Sequence, residues 1–274
     1  MPRLFDSHAH YTDARFAEEA GGAGELLDEL FRGSVGHIIN VGSNIENSRA
    51  AISQSAEYDG MYAAVGIHPE DIGPDIDAEL EALEQLLAGR QKHKIVAVGE
   101  IGFDYHWEPL DKSAQAAAFE SQLYLARKYS LPVIIHDRDA HGDCFDMIRR
   151  FPDVRGVFHS FSGSPETARE LIKLGWHISF SGVITFENAR RTAKIVTEIP
   201  EDRLLIETDC PYLTPHPYRG RRNDSSYMLL TAEKAAELRG ISVERLCSVT
   251  LENAARLFPR TGILPPSINE VIAS

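Results

Sequence analysis

The residues best able to do chemistry are imidazoles and carboxylates that recur just after short apolar runs. His8 and His10 follow Leu4 to Ser7, and His68 follows Met61 to Gly66. Glu100 follows Ile95 to Gly99, His136 follows Pro132 to Ile135, His159 follows Gly156 to Phe158, and Asp209 lies just past Leu204 to Glu207. These are metal-ligand types. Four of these five imidazoles with the two carboxylates already exceed what one tetrahedral catalytic ion takes, whereas two ions sharing a bridging carboxylate use all six. Two ions point to hydrolysis, in which a water is acidified near neutral pH and the attacked or departing oxygen is polarised. By ligand type, imidazoles favour zinc, manganese, iron or cobalt over magnesium. Thiolates play no part: Cys144, Cys210 and Cys247 show no CxxC pairing, and Cys210 beside Asp209 reads as a small buried side chain.

Such residues act together only if the fold brings them to one rim. Besides the runs named, His37 to Val41 and His177 to Phe180 are apolar and β-branched, which makes eight in all. Continuous apolar runs of this kind are what buried parallel strands require. Helical segments lie between them. Ser164-Pro165-Glu166 offers an N-cap, a proline at the first helical position and an early acid, and Gly175 follows Leu174 as a stop. Asp111 to Tyr129 is amphipathic, with Phe119, Leu123 and Ala126 on one face. Alternation repeated eight times predicts a single-domain α/β fold, the (β/α)8 TIM barrel, over residues 1–274. An open doubly wound sheet is disfavoured, because no Gly-rich phosphate fingerprint follows the first run.

In a barrel the strand ends carry the chemistry. His8 and His10, two apart, share one side of an extended strand and can grip one ion; Asp6 shares that parity and is expected to orient an imidazole from behind. His37 and His177 begin their strands, and His93 sits in a polar loop, so no chemistry is assigned to them. His106, His141 and His216 fall in active-face loops where sequence leaves their roles open.

The composition, 43% hydrophobic and 25% charged, is that of a globular protein. A net charge of −13 argues against a surface built for broad polyanion binding, so a nucleic-acid substrate has to be held locally. With no signal segment, membrane span or disulfide pattern in the sequence, a cytoplasmic protein is expected, with no membrane and no obligate protein partner.

The chain resembles the TatD-like metal-dependent hydrolases, deoxyribonucleases of the amidohydrolase superfamily. The resemblance is carried by Phe5-Asp6-Ser7-His8-Ala9-His10, Val65-Gly66-Ile67-His68-Pro69, Gly99-Glu100-Ile101-Gly102-Phe103-Asp104-Tyr105, Leu131 to His136, His159-Ser160-Phe161-Ser162-Gly163 and Glu207-Thr208-Asp209-Cys210-Pro211-Tyr212. His-x-His is widespread in the superfamily; the Gly-Glu-Ile-Gly-x-Asp-Tyr string is far more specific. The resemblance implies that His8 and His10 hold a first ion completed by Asp209, that Glu100 bridges, and that His136 and His159 hold the second. It implies that Asp209 takes the proton from the attacking water and that His68 contacts a substrate phosphate oxygen. It also implies magnesium as the usual support for nuclease activity, so magnesium, manganese and zinc all stand as candidates for the two divalent ions.

The basic loop 217–227 adds Arg222 and Asn223 as candidate substrate contacts, a guanidinium and a hydrogen-bond donor beside a phosphate. Relatives commonly carry Asn-Glu-Pro where this chain has Asn223-Asp224-Ser225, and a second histidine where it has Glu70. Both departures bear on the substrate rather than on the metals. The expected activity is a two-metal 3′–5′ exodeoxyribonuclease acting on a DNA end. The alternatives are hydrolysis of an amide, ester or aminoacyl bond, and a nonenzymatic binding scaffold, which the full ligand set disfavours.

Overall fold

A computed structural model describes residues 3–17, 22–108 and 111–263. Eight parallel strands pair in chain order: β1 (Leu4–Ala9), β2 (Val35–Val41), β3 (Met61–Val65), β4 (Ile95–Asp104), β5 (Val133–Arg138), β6 (Gly156–Phe158), β7 (His177–Phe180) and β8 (Leu204–Ile206). The last seam is closed just beyond β8. There Asp209 N donates to His8 O at 2.9 Å, His10 N donates to Cys210 O at 2.7 Å, and Ala9 bridges Cys210 in parallel sense. The sheet is thereby rolled into the (β/α)8 barrel.

The covering helices are α1 (Ala14–Ala17), α2 (Gly22–Arg32), α3 (Ile45–Glu57), α4 (Ile76–Ala88), α5 (Lys112–Tyr129), α6 (His141–Arg149), α7 (Pro165–Lys173), α8 (Arg190–Glu198), α9 (Met228–Arg239) and α10 (Val243–Leu257). Their ends follow the side chains placed there. Asp111 accepts from Ser113 N and Ala114 N to start α5, and Ser164 accepts from Thr167 N with Pro165 at the first position to start α7. Gly175 follows α7 at φ +85°, a conformation that costs glycine little. Among the described residues no helix is long and apolar enough to cross a membrane.

Two apolar layers hold the barrel. Phe5, Ile39, Ala64, Val96, Ile134, Val157 and Leu205, one from each of seven strands, meet in one cluster that Leu257 and Phe258 at the end of α10 cover. A larger cluster lies between strands and helices, where Phe119 and Leu123 of α5 meet Val98, Ile101 and Phe103 of β4. Each such side chain, fully removed from water, contributes about 1.5–3 kcal/mol. The residues above the inner floor are polar, and they form the site.

Two strands run furthest past the ends that the sequence suggests. β4 continues through Glu100 to Asp104, five residues past Gly99, and β5 continues past His136 to Arg138. Gly102 makes the extension possible. It sits at φ +147°, and a Cβ there would lie 2.0 Å from His136 O, so only glycine lets β4 pass this close to β5. Glu100 and Asp104 are thereby carried to either side of His136.

Candidate metal centre

Glu100 lies at the centre, 3% exposed, with its two carboxylate oxygens facing two different sets of donors. On one side, Oε2 lies 3.2 Å from His8 Nε2 and 3.6 Å from His10 Nε2. Asp209 Oδ1 lies 3.7 and 3.4 Å from the same two nitrogens, which are themselves 2.9 Å apart. On the other side, Oε1 lies 2.6 Å from both His136 Nδ1 and His159 Nε2, which are 3.3 Å apart, and 3.7 Å from His68 Nε2. The structure thus brings all six expected ligands together, and His68 with them.

Hydrogen bonds behind the rings decide which nitrogens carry lone pairs inward. His10 Nδ1 lies 2.9 Å from Val41 O, a carbonyl that can only accept, so the ring's proton sits there and Nε2 is bare. His136 Nε2 meets Asp104 Oδ2 at 2.9 Å, and His159 Nδ1 meets Glu207 Oε1 at 3.2 Å. In the neutral rings those carboxylates leave His136 Nδ1 and His159 Nε2 bare in the same way. Among the described residues His8 Nδ1 is buried without a hydrogen-bond partner, and its Nε2 points into the cluster. Bare nitrogens crowded against carboxylate oxygens repel unless a shared positive charge lies among them. An ion that holds nitrogen and oxygen ligands at about 2.1 Å sets them roughly 3.0–3.6 Å apart, and the His8, His10, Glu100 and Asp209 spacings of 2.9–3.7 Å lie within 0.1 Å of that range. The residues present therefore fit divalent metal ions.

His68 is built the opposite way. Its Nδ1 accepts from the backbone N–H of Glu70 at 3.2 Å, so in the neutral ring Nε2 carries the proton and points into the site as a donor. Burial, reinforced by the charge of His136, pushes His68 down to about 3 and keeps it neutral. His68 is thus suited to donate to a substrate oxygen rather than to ligate.

The electrostatics favour positive charge at the same place. Burial would raise Glu100, but the imidazoles of His159, His8, His136 and His68 outweigh it and hold the carboxyl well below the usual range. Burial opposes a charge on His136, yet Glu100 and then Asp104 push it up to about 9; burial opposes one on His159 too, yet Glu100 and Glu207 hold it well above the usual imidazole range. The carboxylates draw positive charge into the cluster, as protons when no ion is bound. Asp209 is lowered against the effect of burial by its hydrogen bond with His10 and the neighbouring imidazoles, so it is ionised and able to accept a proton. It adopts φ +57°, a left-handed conformation that aspartate tolerates better than most residues, in the turn that closes the barrel.

Two expectations are corrected. Asp6 orients no imidazole: β1 is irregular between Asp6 and Ala9, which breaks the simple alternation of sides. Its carboxylate instead accepts from Thr208 N, Thr208 Oγ1, Ser225 Oγ and the His8 backbone N–H, sewing β1 to the segment after β8. Asn223 is fully buried, with Nδ2 donating to Thr208 O at 2.9 Å and Tyr212 O at 2.6 Å. Both amide hydrogens are thus occupied, and this arrangement leaves none for a substrate. Arg222, still a candidate substrate contact, is half-buried, with its guanidinium over Phe16 at 4.7 Å and Nη2 3.9 Å from Asp224 Oδ2.

Sequence reasoning missed Asp104 and Glu207, which fix His136 and His159. A signal for Asp104 was present, since it stands four residues after Glu100 in one strand; Glu207 was read only as the end of a run. Of the histidines left open, His106 faces Asp139 at 3.3 Å and His141 faces Asp137 at 2.7 Å.

Comparison with known proteins agrees with this geometry. The family model of TatD related DNase matches residues 5–259. The metal-dependent hydrolase YabD of Bacillus subtilis is 42% identical over 257 residues, covering 93% of this chain and 98% of its own length. YcfH of Escherichia coli, also a metal-dependent hydrolase by name, is 35% identical, covering 93% and 95%. Among solved structures, YjjV, a TatD homologue from Escherichia coli, superposes with a TM-score of 0.86 at 32% identity, covering 94% of this chain and 98% of that one. The chain belongs to the TatD related DNase family and is a metal-dependent hydrolase with a TIM-barrel fold.

Proposed function

We propose that this metal-dependent hydrolase is a two-metal phosphodiesterase that removes nucleotides from DNA ends, a 3′–5′ exodeoxyribonuclease acting on single strands. The observation that carries the reading is the division of Glu100 between two donor groups, one on each carboxylate oxygen. In this reading His8, His10, Asp209 and Glu100 hold one ion, and His136, His159 and Glu100 hold the other. The ions supply Lewis acidity to the phosphoryl oxygens and acidify the attacking water.

The chain's own groups do the rest. Asp209, held ionised, takes the proton from the water. His68, neutral with its proton on Nε2, donates to a phosphoryl oxygen as charge builds on it. Asp104 and Glu207 keep the imidazoles of His136 and His159 in the tautomer and orientation that binding needs. The loop containing Arg222 follows β8 and borders the same face, where it adds positive charge to an acidic chain. Few phosphate contacts away from the barrel mouth mean a shallow dependence of binding on salt.

A second reading, hydrolysis of an amide, ester or aminoacyl bond, is favoured by one observation. Glu70 Oε2 lies 3.9 Å from His68 Nδ1, and a carboxylate there disfavours a phosphate more than a carbonyl. One experiment decides between the two. Protein stripped of metal and reloaded with magnesium, manganese or zinc is given 5′-labelled single-stranded DNA, with aminoacyl and ester substrates in parallel and Glu100→Gln as control. A shortening ladder lost in the variant supports the nuclease; cleavage of only the acyl substrates overturns it in favour of the second reading.

A further inference from the structure

Beside the donor cluster stands an aromatic ring that the proposed mechanism does not use. Tyr212 is 45% exposed, large and apolar, on a loop of the active face where a purely structural tyrosine gains little by facing water. Its ring stands edge-to-face against His10, with centroids 6.2 Å apart and planes at 83°. The Arg15 guanidinium covers it at 4.0 Å from the centroid.

Despite its exposure, this ring is fixed from every direction the chain can reach. Its backbone N–H donates to Asp209 O at 2.9 Å, so the ring is indexed to a candidate metal ligand. Its carbonyl accepts from Asn223 Nδ2 at 2.6 Å. Its hydroxyl donates to Asp13 Oδ2 at 3.1 Å, and Asp13 also takes both Arg15 Nε and Arg15 Nη2 at 2.9 Å. Asp13 thus orders the ring and the guanidinium together. A π-surface held rigid, partly open and beside the reacting centre is what a planar ligand group needs, because little side-chain freedom remains to be lost on binding. Single-stranded nucleic-acid sites commonly stack bases on such rings, with arginine adding to the attraction.

We propose that Tyr212, ordered by Asp13 and Arg15, is the stacking platform for the base of the nucleotide whose phosphodiester is cleaved; this rests on the phosphodiesterase reading. The platform selects for a base, whatever its identity, because every base presents a π-face. It sets the register of the strand end by placing the adjoining phosphate at the Glu100 cluster. An end without a base loses the register.

The test uses the metal-loaded full chain with two kinds of oligonucleotide. In the first, a 3′-terminal 2-aminopurine is joined through a phosphorothioate that slows turnover, and its fluorescence reports stacking. In the second, KM is compared between ordinary 3′ ends and ends carrying an abasic sugar. In the wild type the fluorescence is quenched on binding, and the abasic end shows a KM higher by about 10- to 100-fold. Tyr212→Leu abolishes the quench and brings the two KM values together, whereas Tyr212→Phe keeps both effects. An equal rise in KM for both ends in Tyr212→Leu, an unchanged quench, or no discrimination by the wild type overturns the platform while DNA cleavage still upholds the nuclease. Absence of both cleavage and oligonucleotide binding removes the phosphodiesterase reading, and the platform with it. Tyr212 is surface-exposed, and a thermal melt identifies any loss of fold.

Discussion

Gly102→Ala is the smallest change that separates the positions of the site's groups from their identities. It alters no donor, yet the new Cβ would lie 2.0 Å from His136 O and 3.0 Å from His136 C. Real side chains essentially never come closer than 3.0 Å, so β4 and β5 have to part by about 1 Å at the residue that carries His136. Alanine at φ +147° adds backbone strain of order 1–3 kcal/mol, and relieving the clash costs about 1–3 kcal/mol more. The sum, about 2–6 kcal/mol, is a large part of the roughly 5–15 kcal/mol that holds an ordinary domain together. The variant is expected to fold, with a clearly lower melting temperature. A displacement of about 1 Å in a reacting geometry costs on the order of 100-fold in rate. We therefore expect kcat on a phosphodiester substrate to fall about 100-fold at a temperature where circular dichroism shows the variant fully folded, with weaker binding of one of two ions by metal titration. Activity within threefold of wild type, at unchanged melting temperature, refutes the claim that close approach of β4 to β5 positions His136.

Further outcomes are equally specific. Glu207→Gln removes the carboxylate that receives His159 Nδ1 and Ser160 N, and a loss of about 10- to 100-fold in metal affinity or rate is expected by calorimetric titration and steady-state assay; wild-type values for both contradict the orienting role. Asn223→Ala leaves Thr208 O and Tyr212 O without their donor and is expected to cost about 1–3 kcal/mol in urea unfolding. Unchanged stability with a raised KM would instead return Asn223 to substrate binding. His177, far down the barrel, is pushed to about 4 by burial and by the charges of Arg203 and Arg256. The unfolded chain binds that proton near pH 6.5 and the folded chain only near 4, so stability is highest above 6.5 and is lost as pH falls toward 4, by about 3 kcal/mol. Unfolding at pH 7, 5.5 and 4.5 should show that loss shrink in His177→Asn; an identical loss in both proteins contradicts it.

The barrel was legible because its strands are buried on both faces, so their apolar runs stand out, and because caps such as Asp111 and Ser164 mark helix starts. The donors were legible because each falls at or just past the end of such a run. What escaped were features set by tertiary approach. The apolar run Ile95 to Gly99 stops at its glycine, whereas β4 passes through Gly99 and Gly102 to Asp104, which leaves Asp104 outside the run. Asn223 lies among arginines, and its loop reads as a phosphate contact; only the fold shows it turned inward onto Thr208 and Tyr212. The alternation that joined Asp6 to His8 and His10 failed at a strand irregularity that no spacing rule reveals. The proton placement on His68 depends on the backbone N–H of Glu70, a contact made by the turn after His68-Pro69 and not by any residue type.

We propose above all that two metal ions would share Glu100. The most direct measurement is the number of manganese or zinc ions bound per chain at saturation, by elemental analysis after equilibrium dialysis, in wild type and in Glu100→Gln. Two ions per chain in the wild type, with affinity at both positions weakened in the variant, is the predicted result. One ion at saturation, or a variant that holds two as tightly as the wild type, contradicts the shared carboxylate.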